Sequence, residues 1–462
     1  MYLRPAINIF KAMDLAVAYR SIPAPSHPDI DWVMITSFSA QLTILGFAFI
    51  GSGAVRYKSV QSSVITVLLG SVITIFFFWL IGYGFAFGDE MGNQFIGFGK
   101  FAGAGYSAEF QKDDYSNFIH STVGAVIVAS LFGLGTLERS RYFSVSVCLA
   151  FITAILYPIA LHWVQPTGWL NTIGFVDFAG ASYIHLFGGI LALVVSIFLK
   201  ERRGKRGYVD PSIFLHHSQI YIGYGSFILT IAILIFVNGA NSEGKFDKYN
   251  QGLIATNTIV ASAFSALTSF FLYYQQTLKL SLIALSRGSV AGIVAISAMA
   301  DDVRIWQSAF TGVLAGIVYI FLILVIKRSP IDDPAYTIAS HLGPGLLGTI
   351  LVGFLSLTHG LMTGHGFKQL GLQIVGIIVL VLWALFVALG LQAAAYWIPK
   401  SSIDVFKIHL FQEAQGIDIS YGNQYFKHLL AEGEAIQLLD YQPEPTLLSN
   451  FPKRGVFEFS SN

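Results

Sequence analysis

Asp177-Phe178-Ala179-Gly180-Ala181-Ser182-Tyr183-Ile184-His185 opens an apolar run that continues to Leu199. It places an acid and an imidazole in a segment greasy enough to cross a bilayer. A second imidazole, His341, follows Asp332-Asp333-Pro334 at the start of another apolar run. Ionisable groups at membrane depth are costly and rare, and by default they mark a pathway or a relay. The two runs set the expectation of a membrane channel or transporter with these histidines as its chemical centre.

Composition points the same way. The chain is 54% hydrophobic and 11% charged, against roughly 25% charged in a soluble domain. Its net charge of +1 implies no polyanionic partner, so no nucleic acid is expected. The lone cysteine, Cys148, excludes an internal disulfide framework and reads as a core packer in an apolar run. No metal site or cofactor is expected: the adjacent His216 and His217 point in different directions on a helix. Gly-x-Ser-x-Gly, His-Glu-x-x-His and paired aspartates on spans are missing, which argues against an enzyme. Residues 1–30 lack a continuous apolar stretch behind a basic start, so the first spanning helix is expected to drive insertion.

A helical span needs about 20 apolar residues. About 11 segments qualify, near 32–51, 60–87, 118–137, 143–164, 178–199, 213–238, 253–274, 280–299, 306–326, 336–358 and 370–397. The connections are short; the longest, 88–117, is rich in charge. Lys and Arg set orientation. Loops after odd-numbered spans carry Arg56, Lys58, Arg139, Arg141, the Lys200–Arg206 run, Lys279, Lys327 and Arg328. Those after even-numbered spans carry about half as many (Lys100, Lys112, Lys245, Lys248, Arg304 and Lys368), so the first set is expected in the cytoplasm. The expected organisation is an extracellular segment at 1–30, a transmembrane domain at 31–398, and a cytoplasmic tail at 399–462 with a short helix over 405–414.

Span five then runs inward and span ten outward. His185 lies eight residues past Asp177, about 12 Å down the helix, and His341 seven past Pro334, about 10 Å in. The two imidazoles approach the midplane from opposite sides, as two inverted repeats of five spans would bring them.

At this point the residues resemble the ammonium transporter family (Amt/Mep/Rh) over roughly 31–425. The resemblance rests on Gly53-Ala54-Val55-Arg56-Tyr57-Lys58-Ser59-Val60 after span one and Trp79-Leu80-Ile81-Gly82-Tyr83-Gly84-Phe85-Ala86-Phe87-Gly88 ending span two. It continues with Tyr157-Pro158 and His162-Trp163 in span four, the DFAG…H signature of span five, and Gly288-Ser289-Val290-Ala291-Gly292 in span eight. Asp332-Asp333-Pro334 with His341, Gly345 and Gly348 follow, then Gly416-Ile417-Asp418 in the tail. The resemblance implies an all-α fold of about 11 transmembrane helices, built as two inverted five-helix repeats plus a final helix. It also implies a homotrimer in the plasma membrane with one ammonium or ammonia pore per subunit. Asp177 would support recruitment at the outer mouth, and His185 and His341 would be paired pore imidazoles sharing a hydrogen bond. A neutral imidazole offers one donor and one acceptor, and a low-dielectric setting favours that form. Hydrated potassium would be rejected, since an apolar constriction cannot replace its water shell.

The sequence departs from the family pattern at the outer mouth. Gln165 stands where an aromatic is usual, and Gly124 where span three carries its gate phenylalanine. Span six reads Phe236-Val237-Asn238-Gly239-Ala240-Asn241. Alignment on Asn238 puts Val237 at the gate and Asn241 at the usual serine, and is preferred because it keeps Asn-Gly in register. Alignment on Phe236 keeps the ring. Trp163, Trp169 or Phe118 could supply the aromatic role instead. A desolvated cation–π contact is worth about 2 kcal/mol, so weak external ammonium binding is expected. Two alternatives stay open: a transport-impaired ammonium sensor on the same fold, or a pore for another small neutral solute such as carbon dioxide. Arg287 in span eight is unexpected; snorkelling or structural pairing is the simpler reading, and the other is that it lines the inner vestibule, where it would repel cations. His162 reads as structural, and His120, His359 and His365 as solvated near the outer boundary.

Overall fold

The computed structural model describes residues 30–397 apart from 91–92, 110–111, 203–204, 206–213, 215 and 241–247, together with 408, 413 and 416–420. Among the described residues, ten helices are long and apolar enough to cross a membrane, with one shorter apolar helix between them. In chain order they are α1 (Trp32–Ala54), α2 (Tyr57–Phe87), α3 (Asp114–Gly135), α4 (Tyr142–Ile173), α5 (Ala181–Leu199) and α6 (Gln219–Gly239). There follow α7 (Gln251–Thr277), the shorter α8 (Leu282–Ile296), α9 (Ile305–Arg328), α10 (Ile338–Leu355) and α11 (Lys368–Leu391). In hydrocarbon every backbone polar group must be satisfied within its own segment, which is why apolar runs of this length become helices. A two-rung antiparallel hairpin pairs Ala108 with Asp113 and Glu109 with Lys112 in the loop before α3. The eleven elements coincide with the spans expected from the sequence, and the chain is an integral multi-pass membrane protein. Its exposed large apolar side chains, among them Phe321, Leu382 and Phe386, suit a lipid-facing surface.

The helices pack both within and between the two halves. Helix α1 packs against α6, α3 against α5, α7 against both α8 and α9, and α11 against α5 and α10. Helix α8 ends early, at Ile296. The carbonyls of Ser297 and Ala298 turn aside to accept from the backbone N–H groups of Ala179 (2.9 Å) and Phe178 (3.0 Å). The break in α8 thus fixes the segment that leads into α5.

One face gathers the loops 1–2, 3–4, 5–6 and 9–10 around a buried ionic cluster. Glu138 pairs with Arg56 (2.7 Å) and with Arg202; Arg202 continues to Asp332 (2.7 Å), which also takes Lys205 (2.6 Å). Arg56 and Arg202 both lie over the Phe214 ring. Burial raises the Glu138 carboxyl, but Arg202 and Arg56 outweigh it and hold the acid down at about 2. His216, whose Nε2 meets the Pro334 carbonyl at 3.1 Å, is pushed down to about 4, chiefly by burial. The basic run therefore does more than signal topology: Arg202 is buried in ion pairs rather than free for lipid contact.

The tail returns to this face. Asp418 accepts from the backbone N–H groups of Gln61 (2.9 Å) and Ser62 (2.7 Å) and from the Ser62 hydroxyl. The Arg56 guanidinium donates to the Glu413 carbonyl at 3.1 Å, and Ile408 N–H to the Arg139 carbonyl at 3.1 Å. The helix expected over 405–414 lies largely outside the described residues.

Candidate functional site

Helices α5 and α10 begin in the same way. Each opens with a wide π-type turn, Ala181–Leu186 in one and Ile338–Leu342 in the other, and each turn contains the histidine. Such turns recur at functional positions because they shift a side chain out of regular register. Each is capped by an aspartate eight residues before its histidine (177 to 185, 333 to 341). Asp177 accepts from the N–H groups of Gly180 (3.0 Å), Ala181 (3.0 Å) and Ser182 (2.7 Å) and from the Ser182 hydroxyl. Asp333 accepts from Thr337 N–H (3.0 Å), Ile338 N–H (2.8 Å) and the Thr337 hydroxyl (2.8 Å). A helix start leaves backbone donors without intrahelical partners, and a capping carboxylate satisfies them.

The two turns are pressed together by reciprocal glycines. A methyl group on Gly345 would come within 2.6 Å of the Ala181 carbonyl oxygen, and one on Gly189 within 2.6 Å of Leu342 Cβ. With no side chain at either point, the imidazoles meet: His185 Nδ1 and His341 Nδ1 are 3.2 Å apart and both rings are fully buried. One Nδ1 donates and the other accepts, so at least one ring is neutral at that nitrogen. When both are neutral, one Nε2 is an acceptor and the other a donor. Both Nε2 atoms are buried without a protein partner. The Phe47 ring flanks His341 at 6.0 Å.

On the face away from the tail, a cavity of about 530 Å³ opens above this pair. Asp177, Gln165, Gly124 and Phe236 all line it. Val237 is fully buried but does not contribute to the lining, and Asn241 lies outside the described residues. Neither Trp163, Trp169 nor Phe118 lines the cavity. Trp163 bonds the Phe95 carbonyl (2.8 Å), Trp169 stacks on Phe95, and Phe118 packs on Phe78 and Tyr83. Those three rings are used to build the mouth's frame.

Two aromatic groups that sequence reading passed over stand in the wall. Tyr157 fills the place left by Gly124: its hydroxyl would be 2.7 Å from a methyl group there. His120 stacks on Phe236, with ring centres 4.4 Å apart and planes within 5°, and its Nδ1 meets the Ser37 hydroxyl at 3.1 Å. The expectation of a freely solvated His120 is thus corrected. The signal was available, since 120 and 124 are one helical turn apart and share a face. His162 is structural, its nitrogens meeting the carbonyls of Ala86 (2.8 Å) and Asn93 (2.9 Å), while His359 and His365 are exposed. Arg287 does not snorkel: it is fully buried, and its Nη2 donates to Ser340 Oγ (2.6 Å) and the Tyr336 carbonyl (3.2 Å).

The sequence profile described as the Ammonium Transporter Family matches residues 31–425. The chain belongs to the ammonium transporter family. "Putative ammonium transporter 1" of Caenorhabditis elegans is 29% identical over 420 residues, covering 83% of this chain and 74% of the relative. "Ammonium transporter Amt2" of Archaeoglobus fulgidus is 27% identical over 415 residues, covering 85% and 86%. Among solved structures, a "Sensor Amt Protein" superposes with a TM-score of 0.77 at 27% identity, covering 85% of this chain and 98% of that one. Candida albicans Mep2 superposes with a TM-score of 0.74 at 25% identity, covering 90% and 92%. That family is one of transporters. Gly124 and Gln165, where the resemblance led us to expect aromatic side chains, both lie in the cavity wall.

Proposed function

We propose that this chain conducts ammonium, as ammonia, across the plasma membrane, along a path from the cavity through the His185–His341 pair. The observation that carries this reading is the 3.2 Å contact between the two Nδ1 atoms deep between the repeats. A neutral pair offers one acceptor and one donor through its Nε2 atoms. Ammonia, with N–H donors and a lone pair, satisfies both; potassium satisfies neither and would lose its water shell. The positive-inside pattern puts the tail face in the cytoplasm and the cavity outside, with residues 1–30 extracellular, 31–398 in the membrane and 399–462 cytoplasmic. A homotrimer is the expected assembly.

Low external affinity is proposed from the Gln165 and Phe236 side of the cavity; Phe87, Tyr157, Phe175, Phe178 and Tyr183 also bring rings to its wall. Gln165 offers no ring, and the Phe236 face is covered on one side by His120. Uptake of ammonium and methylammonium in transport-deficient cells, over a concentration series, tests the proposal. Saturation well above the micromolar range is expected, with loss of uptake on His185→Ala or His341→Ala. Absent uptake by correctly inserted wild-type protein would refute it.

A second reading, ammonium sensing with weak transport, draws on the likeness to a solved protein titled a sensor and on the docked Asp418. Ammonium binding that alters tail protection from protease, without uptake, would favour it.

A further inference from the structure

Arg287 is a feature of the core that ammonia conduction does not use. Its guanidinium is fully buried in α8, a helix packed against the turns that carry both histidines. Arginine stays charged in proteins. Only Nη2 has protein acceptors; Nε and Nη1 have none, and no carboxylate comes within ion-pair distance among the described residues. Asp332 is taken by Arg202 and Lys205; Asp333 is held by the three donors of its cap and lies within electrostatic reach of Arg287 without bonding it. A buried cation without a bonded counter-charge is expensive and marks function rather than stability.

Its position along α10 gives that function a direction. The guanidinium is held at Tyr336 and Ser340, between the Asp333 cap and His341, and lies within electrostatic reach of that imidazole. Ser340 immediately precedes His341, so the charge sits within a helical turn of the pair, on the tail side. Nε2 of His185, Nε2 of His341, and Nε and Nη1 of Arg287 are all buried without a protein partner. Buried donors and acceptors without protein partners are where a passing solute or water bonds. A solute leaving the pair toward the tail face along α10 would pass this charge.

We infer that Arg287 is a selectivity residue: it bars the ammonium cation from the tail-side half of the path and restricts transport to neutral ammonia. The inference rests on the conduction reading above. A fixed positive charge this close to the pair disfavours occupancy by a second cation. Ammonia carries no charge and is not opposed; the free guanidinium N–H groups can donate to its lone pair.

The test is simultaneous recording of ammonium-evoked current and ammonia-driven pH change in cells or proteoliposomes carrying the full chain. Wild-type protein is expected to give the pH change with no current and no voltage dependence. Arg287→Gln is expected to raise current at least about tenfold while keeping the pH change, and Arg287→Lys, which preserves the charge, to restore the block. Wild-type current matching one charge per ammonia would overturn the inference, as would Arg287→Gln that conducts ammonia and remains silent electrically. Should Arg287→Gln fail to fold, as judged by monodispersity in detergent, Arg287→Met takes its place and is read against the same outcomes, while wild-type flux that follows voltage overturns the inference. Wild-type protein that moves neither charge nor ammonia sinks the conduction reading itself, a distinguishable failure.

Discussion

Gly189 and Gly345 each stand four residues beyond a buried histidine, and each receives the turn that carries the other. The relationship is reciprocal: Gly189 lies against Leu342, next to His341, and Gly345 against Ala181 and Leu186, which bracket His185. The imidazole contact follows from this close approach of two backbones. A side chain at either position would separate the helices before it altered either ring.

Gly345→Val is expected to lose transport and about 1–3 kcal/mol of stability, since a branched side chain must displace backbone rather than a flexible side-chain tip. Thermal unfolding in detergent and methylammonium uptake would measure the two effects. Unchanged uptake would show that the pair does not depend on this contact.

Gly124→Phe restores the usual gate ring by sequence, yet Tyr157 already occupies that volume. The single substitution is expected to destabilise the protein by about 1–3 kcal/mol through overpacking. Gly124→Phe combined with Tyr157→Ala is expected to recover most of that loss. A double-mutant cycle on melting temperature reads the coupling; simple additivity would mean that the two positions do not compete for space.

The Glu138 cluster gives a pH dependence with a definite sign. The acid is lowered from 4.5 to about 2 in the folded state, where Arg202 and Arg56 overcome burial. Its contribution is fully present above the unfolded value, and is lost as pH falls from about 4.5 toward 2. Stability of the wild-type protein should therefore drop across that window, and Glu138→Gln should flatten the drop while lowering stability at pH 7. Parallel melting curves for the two proteins from pH 7 to pH 3 would contradict this.

Asp418→Ala removes the acceptor for three donors on Gln61 and Ser62. Tail docking should weaken by about 1.5–3 kcal/mol, the scale of a charge-assisted hydrogen bond. Limited proteolysis on inside-out vesicles is the check: faster cleavage after residue 398 is expected, with the membrane region intact.

Asp177→Asn separates capping from recruitment. An amide oxygen still accepts from the α5 backbone, so stability should fall by no more than about 1 kcal/mol. A rise in half-saturating ammonium concentration at nearly unchanged stability would assign the charge to recruitment. A loss of stability with unaltered affinity would leave it a cap.

Much of the architecture was legible in the chain. Apolar runs such as 178–199 and 370–397 could be read as spans because hydrocarbon leaves a polypeptide few other choices. His185 and His341 stood out because ionisable groups rarely enter such runs. Tyr157 was missed because the empty place at Gly124 is filled from a different helix, and volume complementation between helices leaves no trace in linear spacing; His120 was read as solvated although it shares a helix face with Gly124. Snorkelling was the simpler reading for Arg287 because distance along the chain from Lys279 measures depth in a single helix, not cover by its neighbours. The Lys200–Arg206 run carried the topology signal, while the role of Arg202 in the ionic cluster depended on Glu138 and Asp332, far away in sequence.

The chain by itself determined that it would enter a membrane, where it would cross, and which ionisable groups would be carried into the interior, because each of these follows from the transfer of individual segments out of water. Only the tertiary structure decided that the two imidazoles touch, that Tyr157 and His120 finish the cavity wall, and that Arg287 stands beside the pair without a bonded counter-ion. Those outcomes depend on how closely separate helices approach, and that distance is set at the contact, by a hydrogen atom at Gly189 and another at Gly345.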